Sequence, residues 1–199
     1  MNYIPHPTIL QGKWVRLEPM RKDHFPFLAT VAKDARIWEQ LPTDGTNEVL
    51  LKEYIHEAVL KRAIGEQYPF TIFDHLKNIP IGSTRLFDFF PEHKKIEIGW
   101  TWLSPDYWGG CYNLECKLLL LTFCFETLLL NRVQLKTRDT NLRSQAAILK
   151  IGAKKEGILR KDRVMRNGEV RDTHLFSMID TEWKETKEKL ETLMKNFDN

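Results

Sequence analysis

After Gly65 the hydrophobic pattern of the chain changes period. Before it, "TNEVLLKEYIHEAVLKRAIG" spaces Val49, Leu50, Ile55, Val59 and Leu60 roughly as one helix face, and Gly65 ends the run. After it come "QYPFTIFD", "IPIGSTRLFDFF" and "KKIEIGWTWLS". These are short, rich in β-branched and aromatic residues, and parted by the turn material "DHLKN" and "PEHK". The spacing predicts an antiparallel meander of three strands, fed by a helix. No all-helical or all-parallel fold accommodates that succession.

The flanking segments extend the pattern. "GKWVRLEPM" sets Trp14, Arg16 and Glu18 against Val15 and Leu17, a strand closed by Pro19. "RKDHFPFLATVAKDARIWEQL" reads as a helix with a break near Pro26 and a capping residue at Asp23. "NLECKLLLLTFCFETLLL" reads as a largely buried helix starting near Asn113. "RVQLKTR" is a strand, and "NLRSQAAILKIG" a short helix stopped by Gly152. "AKKEGILRKDRVM" and "EVRDTHLFSMI" form a hairpin around "RNGE". Residues 181–197 make an amphipathic C-terminal helix with Trp183, Leu190, Leu193 and Phe197 on one stripe. Glu185–Lys189 and Glu191–Lys195 are spaced as i,i+4 pairs on it. It is expected to dock on its own domain. The class is α/β of the α+β kind, a single domain over residues 1–199 with a mixed, mostly antiparallel sheet.

Bulk properties narrow the function classes. A net charge of +3 is too weak to argue for nucleic acid and suits an anionic small ligand equally well. Three cysteines, Cys111, Cys116 and Cys124, form no C-x-x-C pair, and Cys116 and Cys124 lie too far apart on one helix to bridge. A reducing, cytoplasmic setting is expected, with no disulfides and no metal site. The N-terminus has no signal-peptide pattern and no apolar run is long enough for a bilayer. A monomer and a homodimer both fit.

Two stretches carry the candidate chemistry. On a regular strand, Ile96, Ile98, Trp100 and Trp102 face one way, while Glu97, Gly99 and Thr101 face the other. Gly99 inside a strand marks a bulge or a close backbone approach. Glu97 is either a general base or a solvent-face residue near Lys94 and Lys95. "DYWGGCYN" sits at a strand-to-helix junction, where unpaired N–H groups and the helix dipole favour phosphate. It reads as a diphosphate cradle or as a simple turn. Asn141 can cap the short helix and reach a ligand, and Ser144 lies one turn inside. Cys111 has no histidine near it in sequence to support a nucleophilic role.

Taken in order, "LQGKWVRLEP", "PIGSTRLF", "IEIGWTWLSPDYWGG", "NLECKLLLLTFCFE", "NRVQLKTRDTNLRSQAAILKIGAKKEGILR" and "NGEVRDTHLFSMIDTEW" resemble the GNAT acetyltransferase superfamily. The resemblance is to the branch of the ribosomal-protein alanine N-acetyltransferases and covers about residues 8–184. It implies two splayed central strands flanked by helices, and direct acetyl transfer from acetyl-CoA to a primary amine. The amine is a small molecule or a protein N-terminus. The resemblance also implies that the pantetheine arm pairs with Trp102, Leu103 and Ser104. The diphosphate would lie on Trp108, Gly109, Gly110, Cys111, Tyr112, Asn113 and Leu114, with Asn141 contacting the cofactor. Glu97 would take the ammonium proton, and Ser144 would protonate the departing thiolate. Two departures stand out. The superfamily loop begins with Arg or Gln where this chain has Trp108, and Cys111 stands where it has its central glycine. If that position needs positive φ, Cys111 carries strain of about 1 kcal/mol. The usual tyrosine acid would fall at Ile148. The alternative is a CoA- or ligand-binding protein of this fold with little catalysis.

Overall fold

A computed structural model describes residues 3–165 and 167–197. Eight strands form one sheet: β1 (Leu10–Gln11), β2 (Val15–Pro19), β3 (Gln67–Asp74), β4 (Ile79–Phe90), β5 (Lys95–Leu103), β6 (Arg132–Arg138), β7 (Lys154–Val164) and β8 (Val170–Ile179). The spatial order is β1-β2-β3-β4-β5-β6-β8-β7. Only β5 and β6 run parallel; every other neighbouring pair is antiparallel. The helices are α1 (Phe25–Val31), α2 (Glu48–Ala63), α3 (Cys111–Thr122), α4 (Leu142–Lys150) and α5 (Asp180–Lys195). The mixed class and the meander are as expected. Arg166, in the expected turn of the last hairpin, lies outside the described residues.

Each face of the sheet buries its own apolar layer. On one face Leu28, Trp38, Leu51, Tyr54, Ile55 and Trp102 pack α1 and α2 onto the strands. On the other Leu17, Ile72, Leu86, Ile96 and Ile98 meet Leu114, Leu120 and Leu121 of α3 and Trp183 and Leu190 of α5. Each such side chain withdrawn from water stabilises the fold by about 1.5–3 kcal/mol. The tail docks on its own domain: Trp183 stacks on Phe125 with centroids 5.4 Å apart and donates Nε1–H to Glu126 at 2.8 Å. Among the described residues no helix is long and apolar enough to cross a membrane.

Several local expectations are corrected. Residues 21–41 form no single helix: a 3-10 turn over Lys22–His24 runs into α1, and a second covers Ala35–Ile37. Pro26 opens α1 instead of breaking it, since a first-turn proline loses no helical hydrogen bond. Asp23 caps nothing; its carboxylate accepts from Arg21 Nε at 3.0 Å. The buried stripe of α2 is Leu51, Tyr54, Ile55 and Ala58, whereas Val49 and Leu60 are exposed. Sheet contact selects the i, i+3, i+4, i+7 row, which includes a tyrosine and an alanine. Finally, α3 begins at Cys111, not near Asn113, because Gly110 already serves as its N-cap.

Candidate active site

The site begins with a register fault. Ser83 pairs with Trp102 and Arg85 with Gly99, so Thr84 faces both Trp100 and Thr101. Trp100 takes φ 53°, completing a β-bulge. The extra residue reverses the alternation of side chains. Trp102 therefore packs with Trp38 on the α1/α2 face, opposite Ile96 and Ile98, and Trp100 packs beside it. That corrects the expected face of Trp100 and Trp102. Trp102 is a core residue, and its buried Nε1 has no partner among the described residues.

The sheet opens just before the bulge. β5 and β6 pair only at Lys95–Arg132, Ile96–Val133 and Glu97–Gln134. β6 continues against β8 as far as Arg138, while β5 stays with β4. The two parallel strands thus part at Glu97. Ser104 N–H turns back to Ile81 O at 2.8 Å, so the alternating backbone aims the Leu103 carbonyl toward the gap. Of the three residues expected to line the arm of the cofactor, Leu103 offers its backbone; Trp102 and Ser104 are turned toward β4.

Glu97 sits at the apex, 5% exposed. It is no solvent-face residue, and its cation is neither Lys94 nor Lys95. Its Oε2 accepts from Gln134 Nε2 at 2.9 Å and lies 2.8 Å from Lys136 Nζ. Both partners project from β6, where alternation places them on one face. Oε1 makes no hydrogen bond among the described residues and lies near Gly99, where an added Cβ would come within 3.8 Å of it. One carboxylate oxygen is held and the other keeps its lone pairs.

The loop after β5 is better formed than its sequence suggests. Gly109, with φ 76° and nothing within 4 Å of an added Cβ, takes the left-handed position. Cys111 is the first residue of α3 and is not among the positive-φ residues, so the expected strain does not arise. Among the described residues no side chain caps the N-terminus of α3, which leaves its end open toward the loop. Tyr107 and Tyr112 fix the loop from below by donating to Asp74 Oδ2 at 3.2 and 3.4 Å. Burial pushes both phenols up, so they remain donors at neutral pH. Burial likewise pushes the Cys116 thiol up to about 11 and the Cys124 thiol higher still, which disqualifies both as nucleophiles.

Asn141 caps α4: its Oδ1 accepts the Ser144 N–H at 3.0 Å. Ser144 is half-buried in the first turn, with no hydrogen bond from its hydroxyl among the described residues. Several neighbours went unnoticed in the sequence. Gln134 and Lys136 carry a period-two signal on β6, but nothing in it names Glu97 as their partner. Arg143 stacks on Trp108, with its guanidinium carbon 3.6 Å from the ring centroid. Arg85, 1% exposed, lies between the rings of Tyr54 and Trp100 at 4.1 and 4.7 Å.

Comparison with known proteins agrees with this geometry. The acetyltransferase (GNAT) domain model matches residues 15–154. The uncharacterised N-acetyltransferase YnaD of Bacillus subtilis (strain 168) is 25% identical over 75% of this chain and 84% of its own length. The provisionally named ribosomal N-acetyltransferase YdaF of the same organism is 34% identical, over 48% of this chain and 51% of its own. A crystal structure of a provisionally assigned acetyltransferase from T. thermophilus superposes with a TM-score of 0.85 at 31% identity, covering 95% of this chain and 98% of that one. A strand pair parted at a buried carboxylate, beside an open helix end, is thus set in a chain that belongs to the GNAT family of acetyltransferases.

Proposed function

We propose that this N-acetyltransferase moves an acetyl group directly from acetyl-CoA to a primary amine, on a small molecule or a protein N-terminus. The parting of β5 and β6 at Glu97, one loop away from the uncapped end of α3, carries this reading. The residues fit the group. Gly109 and Gly110 leave room for a phosphate to approach the backbone, and the α3 N-terminus favours negative charge. Leu103 offers the strand edge, and Cys111, Tyr112, Asn113 and Leu114 form the first turn of α3. Bound acetyl-CoA supplies an activated thioester.

The remaining work falls to the side chains. Glu97 Oε1 takes the proton from the acceptor ammonium, directly or through water, because only the neutral amine attacks. Gln134 and Lys136 hold the carboxylate in place and do not occupy that oxygen. Ser144, in the first turn of the helix that Asn141 caps, gives its hydroxyl proton to the departing thiolate and regains one from solvent. Bulge N–H groups of β5 stabilise developing negative charge.

Calorimetric titration of acetyl-CoA and a thiol-release assay over an amine panel test this. We expect saturable binding, and thiol release with at least one amine. Glu97→Gln should lower kcat about 100-fold or more and leave the Kd for acetyl-CoA unchanged. Binding without release from any amine would instead favour a CoA-binding protein, and undiminished turnover in the variant would remove Glu97 as base.

A further inference from the structure

The cleft between β5 and β6 is bridged by one stacked pair. The Trp108 indole donates Nε1–H to Leu103 O at 2.9 Å, so it lies on the unpaired edge of β5. From across the gap, on the α4 that follows β6, Arg143 lays its guanidinium on the same ring at 3.6 Å. Arg36 approaches the ring at 5.7 Å, but Asp34 holds its guanidinium, with Nη2–Oδ2 at 2.6 Å. Arg143 forms no ion pair among the described residues. Its charge rests against an aromatic face, a contact worth less than a pair with an anion. Trp108 immediately precedes Gly109, Gly110 and the open end of α3, so a modest swing of Arg143 brings it to that loop.

We infer that Trp108 and Arg143 form a latch across the cleft, and that Arg143 is the phosphate-binding cation of the site. This rests on the acetyl-CoA reading. The loop carries no cationic side chain between Tyr107 and Asn113, and Arg143 supplies that charge from α4. In the latched state the indole covers the Leu103 carbonyl and holds the guanidinium ready beside the loop. Opening the latch uncovers the strand edge and releases the guanidinium toward a phosphate.

Calorimetry with CoA on the wild type, Arg143→Gln and Arg143→Lys, together with intrinsic fluorescence on the wild type and Trp108→Phe, tests the inference. Arg143→Gln should weaken CoA binding about 10- to 100-fold, as loss of a charge-assisted contact does. Arg143→Lys should recover most of that loss, which a packing role would not require. Saturating CoA should change the indole emission of the wild type, and most of that change should vanish in Trp108→Phe. Equal CoA affinity in Arg143→Gln, or an emission change that persists in Trp108→Phe, overturns the latch and leaves the acetyl-CoA reading standing. No CoA binding by the folded wild type overturns both.

Discussion

Lys117 shows what one misplaced charge does to a core. It projects from α3 into the apolar layer, 7% exposed, and its Nζ finds one neutral acceptor, Thr101 Oγ1, at 2.7 Å. Thr101 in turn shares a hydrogen bond with Thr84 at 2.8 Å, across the bulge. Burial lowers the Lys117 pKa from its ordinary 10.5. The unfolded chain therefore binds the proton more tightly, and stability rises as pH climbs through the interval from the lowered value to 10.5. Lys117→Met should stabilise the protein at pH 7 by about 1–3 kcal/mol, because it removes an amine whose protonated form burial disfavours. The gain should shrink toward pH 10.5. Urea midpoints of both proteins across that range check the sign; a destabilised variant at pH 7 contradicts it.

At the scale of elements, α3 is fastened to the first hairpin by a single carboxylate. Glu115 accepts from the backbone N–H groups of Lys13, Trp14 and Val15 at 2.8, 2.7 and 2.6 Å. Gly12 must lack a side chain here, since an added Cβ would lie 2.4 Å from the Glu115 carboxyl carbon. The helix that opens toward the Gly109–Gly110 loop is thereby fixed against β2. Glu115→Ala leaves three N–H groups without their acceptor, and should cost about 3 kcal/mol in chemical denaturation. A loss under about 0.5 kcal/mol would mean that water replaces the carboxylate. This fastening was not legible in the sequence, because its partners lie about 100 residues apart. The elements themselves largely were: strands and helices follow from period, from Pro19, Gly65 and Gly152, and from the Asn141 cap.

Across the whole molecule, the last three strands depend on ionised carboxylates. Arg132 of β6 and Ser177 of β8 both donate to Glu156 of β7, and these contacts hold its pKa down to about 2, against an ordinary 4.5. Its contribution is complete above pH 4.5 and is lost as pH falls from there through about 2. Glu156→Gln should therefore cost about 1 kcal/mol at pH 7, a figure discounted for the exposure of the pair. Thermal melts of variant and wild type should converge toward pH 2; a constant difference would mean that the amide lost packing, not charge. By itself the sequence determined the element order, the mixed sheet, the family pattern and the place of Glu97 on a central strand. Those properties are local, written in period, turn chemistry and motif order. Only the tertiary structure decided what faces what. The bulge at Trp100 moved two tryptophans to the other face, Gly109 relieved Cys111, β6 supplied the partners of Glu97, and α4 brought Arg143 onto Trp108. Each depends on a register or a long-range contact, and a one-residue shift in a strand exchanges its faces without changing its composition.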